Sequence, residues 1–223
     1  MIESCNEFDV IHIKDHHHWL YERTKGIGGS DAGIILNQSK YKTRFELWEE
    51  KTGRRKAPFI TNEAIELGNA LEPILIDLFG KTHKEYQVVD TKEISLVSKK
   101  YCYLRANLDG ALINQEGLKG VLEIKTTTIQ NKSMMEEWKG QVPQTYYCQV
   151  LHYLNVTGFD YAILFAWINF PYWGKAELKE YFFSAHDPQI QEDMKYLLKE
   201  EKRFWKEVQN GVSTEFINKK IMI

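Results

Sequence analysis

The sequence predicts an α/β fold, a central β-sheet flanked early and late by helices, and three observations predict it. Apolar residues recur at helical spacing from Ala64 through Ile65, Leu67, Leu71, Ile74, Leu75, Leu78 and Phe79, and an amphipathic stretch runs from Asp187 to about Gln209. Stretches rich in β-branched and aromatic residues lie between them, bounded by turn residues. No internal repeat, low-complexity segment or linker divides the 223 residues, so residues 1–223 are expected to form one domain around one core.

In order along the chain, a first helix is expected over residues 15–24, stopping before the glycines at 26, 28 and 29. Ser30-Asp31 caps a short helix through Leu36, because short polar side chains accept from free first-turn amides. Thr43 caps another, with Phe45, Leu47 and Trp48 on its apolar side and Gly53 at its end. Thr61 starts the long helix, and Pro73, which lacks an N–H, predicts a break or kink near Glu72. Strands are expected at 86–97, 101–105, 108–114 and 119–127, the last two pairing as a hairpin around Asn114–Lys119. Residues 131–139 read as helix, and Pro143 opens a helix to about Thr157. Two more strands follow at 161–168 and 176–183. The terminal helix carries Met194, Leu197, Leu198, Phe204 and Trp205, which pack either on the sheet or against another subunit.

Composition excludes several classes. No apolar run reaches the roughly 20 residues of a membrane span, and the N-terminus lacks the pattern of a signal peptide, so a cytoplasmic location is expected. Three scattered cysteines, Cys5, Cys102 and Cys148, argue against a disulfide framework or an all-cysteine metal site. Consecutive histidines at 16–18 point in different directions on a helix and do not share a metal. The net charge of −2 is not that of a protein coating nucleic acid, although a local basic channel and bound cations could serve a nuclease. Candidate basic clusters are Lys40, Lys42 and Arg44; Lys51, Arg54, Arg55 and Lys56; and Lys99, Lys100 and Arg105; each reads equally as a solvated loop.

The chemistry concentrates in Asp109-Gly110 and the following Val121-Leu-Glu123-Ile-Lys125. Side chains two apart on a strand share a face, so Glu123 and Lys125 project together from an apolar bed. Asp109 sits at the far end of the partner strand. Two carboxylates and an ammonium on adjacent strands suit a divalent cation and the phosphate it activates. Glu-x-Lys also occurs at Glu49/Lys51, Glu137/Lys139, Glu177/Lys179 and Glu200/Lys202 as ordinary charge patterning. Only the copy at Glu123 lies in a β-branched strand behind an Asp-Gly strand. Its alternative is a solvated edge strand.

Five short motifs in order strengthen the case: Arg23-Thr-Lys-Gly-Ile-Gly-Gly-Ser30-Asp-Ala, Gly68-Asn-Ala-Leu-Glu72-Pro, Asn107-Leu-Asp109-Gly, Leu122-Glu123-Ile124-Lys125, and Val142-Pro143 through Gln149-Val-Leu-His-Tyr153 to Val156-Thr157-Gly158. Together they resemble the phage exonuclease and recombinase family named for lambda exonuclease and the YqaJ proteins, within the PD-(D/E)xK nucleases. The resemblance implies a restriction-endonuclease-like core with a mixed sheet. It implies a magnesium-dependent DNA exonuclease, with manganese as a substitute, that degrades one strand of linear duplex 5′-to-3′ and leaves 3′ overhangs.

In that reading Asp109 and Glu123 hold two metal ions with the main-chain carbonyl of Ile124, and Glu72 reaches a metal directly or through water. Lys125 orients the attacking water and offsets phosphorane charge. Gln149, counted with the catalytic residues, and Tyr153, one helical turn apart, line the DNA strand near the scissile phosphate; the alternative for this face is plain packing in a largely buried helix. Arg23 and Ser30 match a pocket for the 5′-terminal phosphate, with the glycines admitting close approach and helical amides favouring an anion. Asn107 stands where serine is expected and still donates through its amide. The family further implies double-stranded DNA ends as substrate, a ring-shaped trimer, a single-strand-annealing partner and a phage- or prophage-encoded protein in a bacterial host. The alternatives are a related endonuclease of restriction or repair type and an inactive DNA-binding module of the same fold.

Overall fold

The computed structural model describes residues 2–58 and 61–213. Two sheets form the framework. Strands β2 (Tyr86–Val89), β5 (Gly110–Asn114), β6 (Lys119–Thr128), β7 (Tyr161–Phe170) and β8 (Lys175–Ser184) run in that spatial order. Strand β6 pairs antiparallel with β5 and parallel with β7, so the sheet is mixed, as expected. A second sheet of β1 (Phe8–His12), β3 (Ile94–Ser98) and β4 (Arg105–Ala106) is one the sequence did not announce. The stretch at 86–97 is two strands in different sheets, because Glu93 adopts a left-handed φ of 62° and turns the chain between them. Residues 101–104 are mostly turn, leaving only two residues of strand at 105–106.

The helices fall where periodicity placed them: α1 (His16–Thr24), α2 (Gly29–Ile35), α3 (Arg44–Lys51), α4 (Glu63–Thr82), α5 (Lys132–Glu137), α6 (Gln144–Thr157) and α7 (Pro188–Asn210). Thr43 caps α3 through Glu46 N, and Glu46 reaches back to the Thr43 N–H, a reciprocal capping box. Two caps differ from expectation. Asn62 rather than Thr61 caps α4. Gly28 rather than Ser30 is the cap of α2, with Asp31 bonding back to the Gly28 N–H at 2.9 Å. Helix α4 runs unbroken through Pro73, held by Leu75 and Phe79 buried in the sheet core.

The alternation of β6 divides the molecule. Leu122 and Ile124 face α4 and join Leu75, Phe79, Leu112, Ile163 and Phe165. Val121 belongs to the opposite cluster with Val150, Tyr153 and Leu154 of α6, so Glu123 and Lys125 project toward α6. Facing alanines on β7, Ala162 opposite Val121 and Ala166 opposite Lys125, let α6 lie close to the sheet. Helix α7 packs on α6, α2 and α3 of its own chain and not chiefly on the sheet. Leu197 and Phe204 are fully buried against this chain's own helices, and Trp205 stacks on Tyr103 with ring centroids 5.6 Å apart.

Candidate functional site

The sheet assembles the site in two steps. Gly110 pairs with Leu122, so the register extended by one residue sets Asp109 opposite Glu123, on the same face. The Asp109 carboxylate does not reach Glu123; its Oδ2 accepts the Ile124 N–H at 2.7 Å, which anchors it across the strands. Glu123 is 1% exposed. Its Oε1 accepts from the Lys125 ammonium and, at 2.6 Å, from Gln149 Nε2. Gln149 also donates to the Tyr153 hydroxyl at 3.0 Å, and that hydroxyl donates to the Asn107 carbonyl at 2.8 Å. The helical pair at 149 and 153 therefore links Glu123 to the strand that carries Asp109.

The charges there are not balanced. Burial, with the nearby Asp109, pushes Glu123 up to about 8. Burial likewise raises Asp109, and burial with Asp109 raises Glu72. Burial opposes the charge on Lys125, but Glu123 and Asp109 overcome it and hold the ammonium above its ordinary value. Among the described residues, Glu123 Oε2 and Asn107 Oδ1 are buried with no hydrogen-bond partner. Buried polar atoms are normally satisfied, and although others such as Tyr161 Oη and Glu201 Oε2 occur in the frame, these two lie together with the acids of the site, where an additional partner would satisfy them. A divalent cation fits the donor set: hard carboxylate oxygens, one unpartnered, in a patch that resists holding negative charge. Among the described residues, however, no group of three His, Cys, Asp or Glu side chains stands in a metal-holding arrangement. Lys125 bonds Glu123 in a position a cation would contest.

A cleft of about 590 Å³ opens beside these residues. Its wall includes Arg23, Ser30, Glu72, Asn107, Asp109, Gln149 and Tyr153, while Glu123, Ile124 and Lys125 are not part of the wall. Arg23 donates to Ser30 Oγ at 3.0 Å and its guanidinium lies 4.6 Å from the Trp19 ring centroid. The glycines nearby serve packing more than ligand approach. A Cβ on Gly29 would stand 2.5 Å from Tyr153 Cε1, and one on Gly26 2.2 Å from the Tyr103 carbonyl oxygen. The first amides of α2 are also partly taken, since Asp31 already accepts from Gly28.

Sequence reasoning missed several participants. Tyr146, one turn before Gln149, places its ring 4.8 Å from Lys125 Nζ; the i, i+3 spacing on α6 was the available signal. The basic clusters were read as channel or solvated loop, and three of their members are instead partners in buried ion pairs, although Arg105 also borders the cleft. Arg44 pairs with Glu207 at 2.9 Å, Lys51 with Asp31 at 2.8 Å and Arg105 with Glu22 at 2.6 Å, all buried.

This mixed sheet, with a carboxylate–lysine pair on one strand and an Asp-led strand beside it, defines an α/β domain of the phage exonuclease fold. LHK-Exo in complex with dAMP superposes with a TM-score of 0.65 at 17% identity, covering 87% of this chain and 93% of that one. An alkaline exonuclease (LHK-Exo) from Laribacter hongkongensis gives 0.61 at 17% identity over the same shares. A phage related exonuclease from Haemophilus somnus 129PT gives 0.56 at 14%, covering 84% and 96%. At these identities the likeness is one of fold. Residues 18–160 match the YqaJ-like viral recombinase domain, and the chain belongs to that family. An uncharacterized protein YqaJ of Bacillus subtilis (strain 168) is 40% identical over 149 residues, 64% of this chain and 43% of the relative, so the chain spans under half of that protein's length.

Proposed function

We propose that this chain is one nuclease domain, a magnesium-dependent DNA exonuclease that digests one strand of linear duplex 5′-to-3′. One observation carries the reading: Asp109, Glu123 and Lys125 share one face of adjacent strands beside a cleft, with the Glu123 Oε2 unpartnered. Membership of a viral recombinase family and the names of the structurally similar exonucleases support it.

In this reading Asp109, Glu123 and the Ile124 carbonyl would hold two magnesium ions, for which manganese would substitute, with Glu72 contributing directly or through water. Such ions would supply the charge that acidifies a water and steadies a departing oxygen. Gln149 holds Glu123 in place, and Tyr153 braces Gln149 and the Asn107 backbone. Lys125 moves from Glu123 toward the phosphate, where its ammonium orients water and offsets the negative charge that builds during attack. The raised pKa of Lys125 keeps it protonated, which suits this electrostatic role and not that of a general base. Arg23, Ser30 and Asn107, in the wall of the same cleft, receive the 5′-terminal phosphate. A ring-shaped trimer, an annealing partner for the 3′ strand and a phage or prophage origin in a bacterial cytoplasm belong to the same reading and rest on the family alone.

The test is digestion of linear duplex labelled separately at each 5′ and each 3′ end, with and without magnesium, by the unmutated protein and by Asp109→Asn. Release of the 5′ label only with magnesium, lost in the variant, is expected. Cutting of closed circular DNA would favour the endonuclease reading. DNA binding without any hydrolysis in magnesium would leave a binding module.

A further inference from the structure

We propose that Lys51, on α3 and outside the cleft wall, is a positioning residue that sets the geometry of Arg23 and Ser30. Its Nζ donates to the Arg23 carbonyl at 2.9 Å and lies 2.8 Å from Asp31 Oδ2. Both side chains are almost wholly buried, at 7% and 6% exposure. The Arg23 carbonyl belongs to the last turn of α1, where carbonyls lack partners within the helix and gather partial negative charge. Asp31 lies in the first turn of α2 and also accepts the Gly28 N–H at 2.9 Å. One ammonium therefore fastens the end of α1 to the start of α2. On the cleft side, the Arg23 side chain spans the same gap to Ser30 at 3.0 Å.

The connection between these helices needs such a fastening. Residues 25–28 form no helix and dock on the neighbouring strand through Ile27, whose N–H donates to the Tyr103 carbonyl at 2.7 Å. That contact fixes the middle of the connection but neither Arg23 nor Ser30. A buried ion pair contributes little to stability compared with apolar residues of similar size, so its use here is geometric. Lys51 acts on the cleft only through Arg23 and Asp31. This inference rests on the reading that this end of the cleft takes a 5′-terminal phosphate.

The experiment compares kcat/KM on duplex ends carrying a 5′-phosphate with that on 5′-hydroxyl ends. Lys51→Met should lower the phosphate-to-hydroxyl ratio about tenfold, through KM more than kcat. In an Arg23→Ala background the same change should cost much less than it does alone, since its effect on the ratio runs largely through the Arg23 side chain. Lys51→Met with Asp31→Asn removes both buried charges; it should regain thermal stability without regaining the ratio. The proposal is overturned if Lys51→Met lowers both substrates equally, if its effect adds in full to Arg23→Ala, or if the double variant recovers the ratio. If the unmutated protein shows no preference between ends, the phosphate-pocket reading is what fails. A crystal structure of the double variant then decides separately: an Arg23–Ser30 contact kept as it is in the parent overturns the positioning role.

Discussion

Replacing Glu123 by glutamine should stabilise the protein at neutral pH while abolishing hydrolysis, and the pH dependence of the gain follows from the site. Glu123 titrates at about 8 in the fold against an ordinary 4.5. Between those values the native state holds a proton that the unfolded chain has released, so stability falls as pH rises from 4.5 and levels off above 8. At about 1.4 kcal/mol per pH unit, the 2.5 units from 4.5 to 7 cost the parent roughly 3 kcal/mol. Glutamine keeps an oxygen to accept from Lys125 and Gln149 and carries no charge. Its amide, however, sets an unpaired donor where Oε2 lies, which takes back about 1 kcal/mol. The net gain near pH 7 is about 2 kcal/mol, worth about 4–8 °C in Tm for a domain of this size. Scanning calorimetry at pH 5, 6, 7 and 8 without divalent ions should show the two Tm values diverging as pH rises. Added magnesium at pH 8 should raise the parent and leave the variant nearly unmoved. A gap that stays constant from pH 5 to 8, or a variant less stable than the parent at pH 8, would refute the argument that Glu123 is a strained acid.

Two further substitutions probe the frame around the site. Gly29→Ala puts a methyl against the Tyr153 ring and should cost about 1–3 kcal/mol in urea unfolding, with the loss falling on activity as well because Tyr153 moves. Arg105→Met leaves the buried Glu22 with Lys25, and with His18 at 3.6 Å, and should cost about 3 kcal/mol or more at pH 7. Burial opposes the charge on Glu22, but Lys25 and Arg105 hold its pKa below 4.5; the stability this lends is full above 4.5 and is lost as pH falls below it. The difference between Arg105→Met and the parent should therefore shrink on acidification through 4.5. A difference that persists at pH 3 would assign the role of Arg105 to packing.

How much was legible beforehand depended on sequence distance. The shared face of Glu123 and Lys125 follows from the two-residue period of a strand, and the opposition of Asp109 from a hairpin only a few residues long. Both are local rules, and both were read directly. The pairing of Gln149 with Tyr153 follows from the helical turn in the same way. What was not legible is which acid a given base meets. Arg44 and Glu207 lie at opposite ends of the chain and pair only because α7 folds back onto α3. Lys51 looked like part of a surface cluster with Arg54 and Arg55, yet its acceptors come from α1 and α2. Strand β1 is five residues long, Phe8–His12, with Asp9 and His12 breaking its apolar pattern, too short for periodicity to reveal, and its pairing with β3 split a stretch that reads as one strand.

The acids of the molecule divide by the sign of their perturbation, and the division separates frame from site. Glu22 and Asp31 are buried beside one cation or more at hydrogen-bond distance, and their pKa values fall despite burial. Glu72, Asp109 and Glu123 share the field of one lysine, Lys125, which pairs with Glu123, and theirs rise. A fold selected for stability alone would pair or delete the second group, because each uncompensated acid costs free energy at neutral pH. Retaining three of them around a single ammonium, beside a cleft, makes sense where further positive charge arrives with function. Three basic residues, Lys51, Arg44 and Arg105, are committed to buried pairs in the frame, while Lys14, Arg23 and Lys92 line the cleft. In the proposed reading, bound magnesium would add to the positive charge of Lys14, Arg23 and Lys92 and offset the three raised acids, so it should govern both the stability of the protein and its grip on substrate.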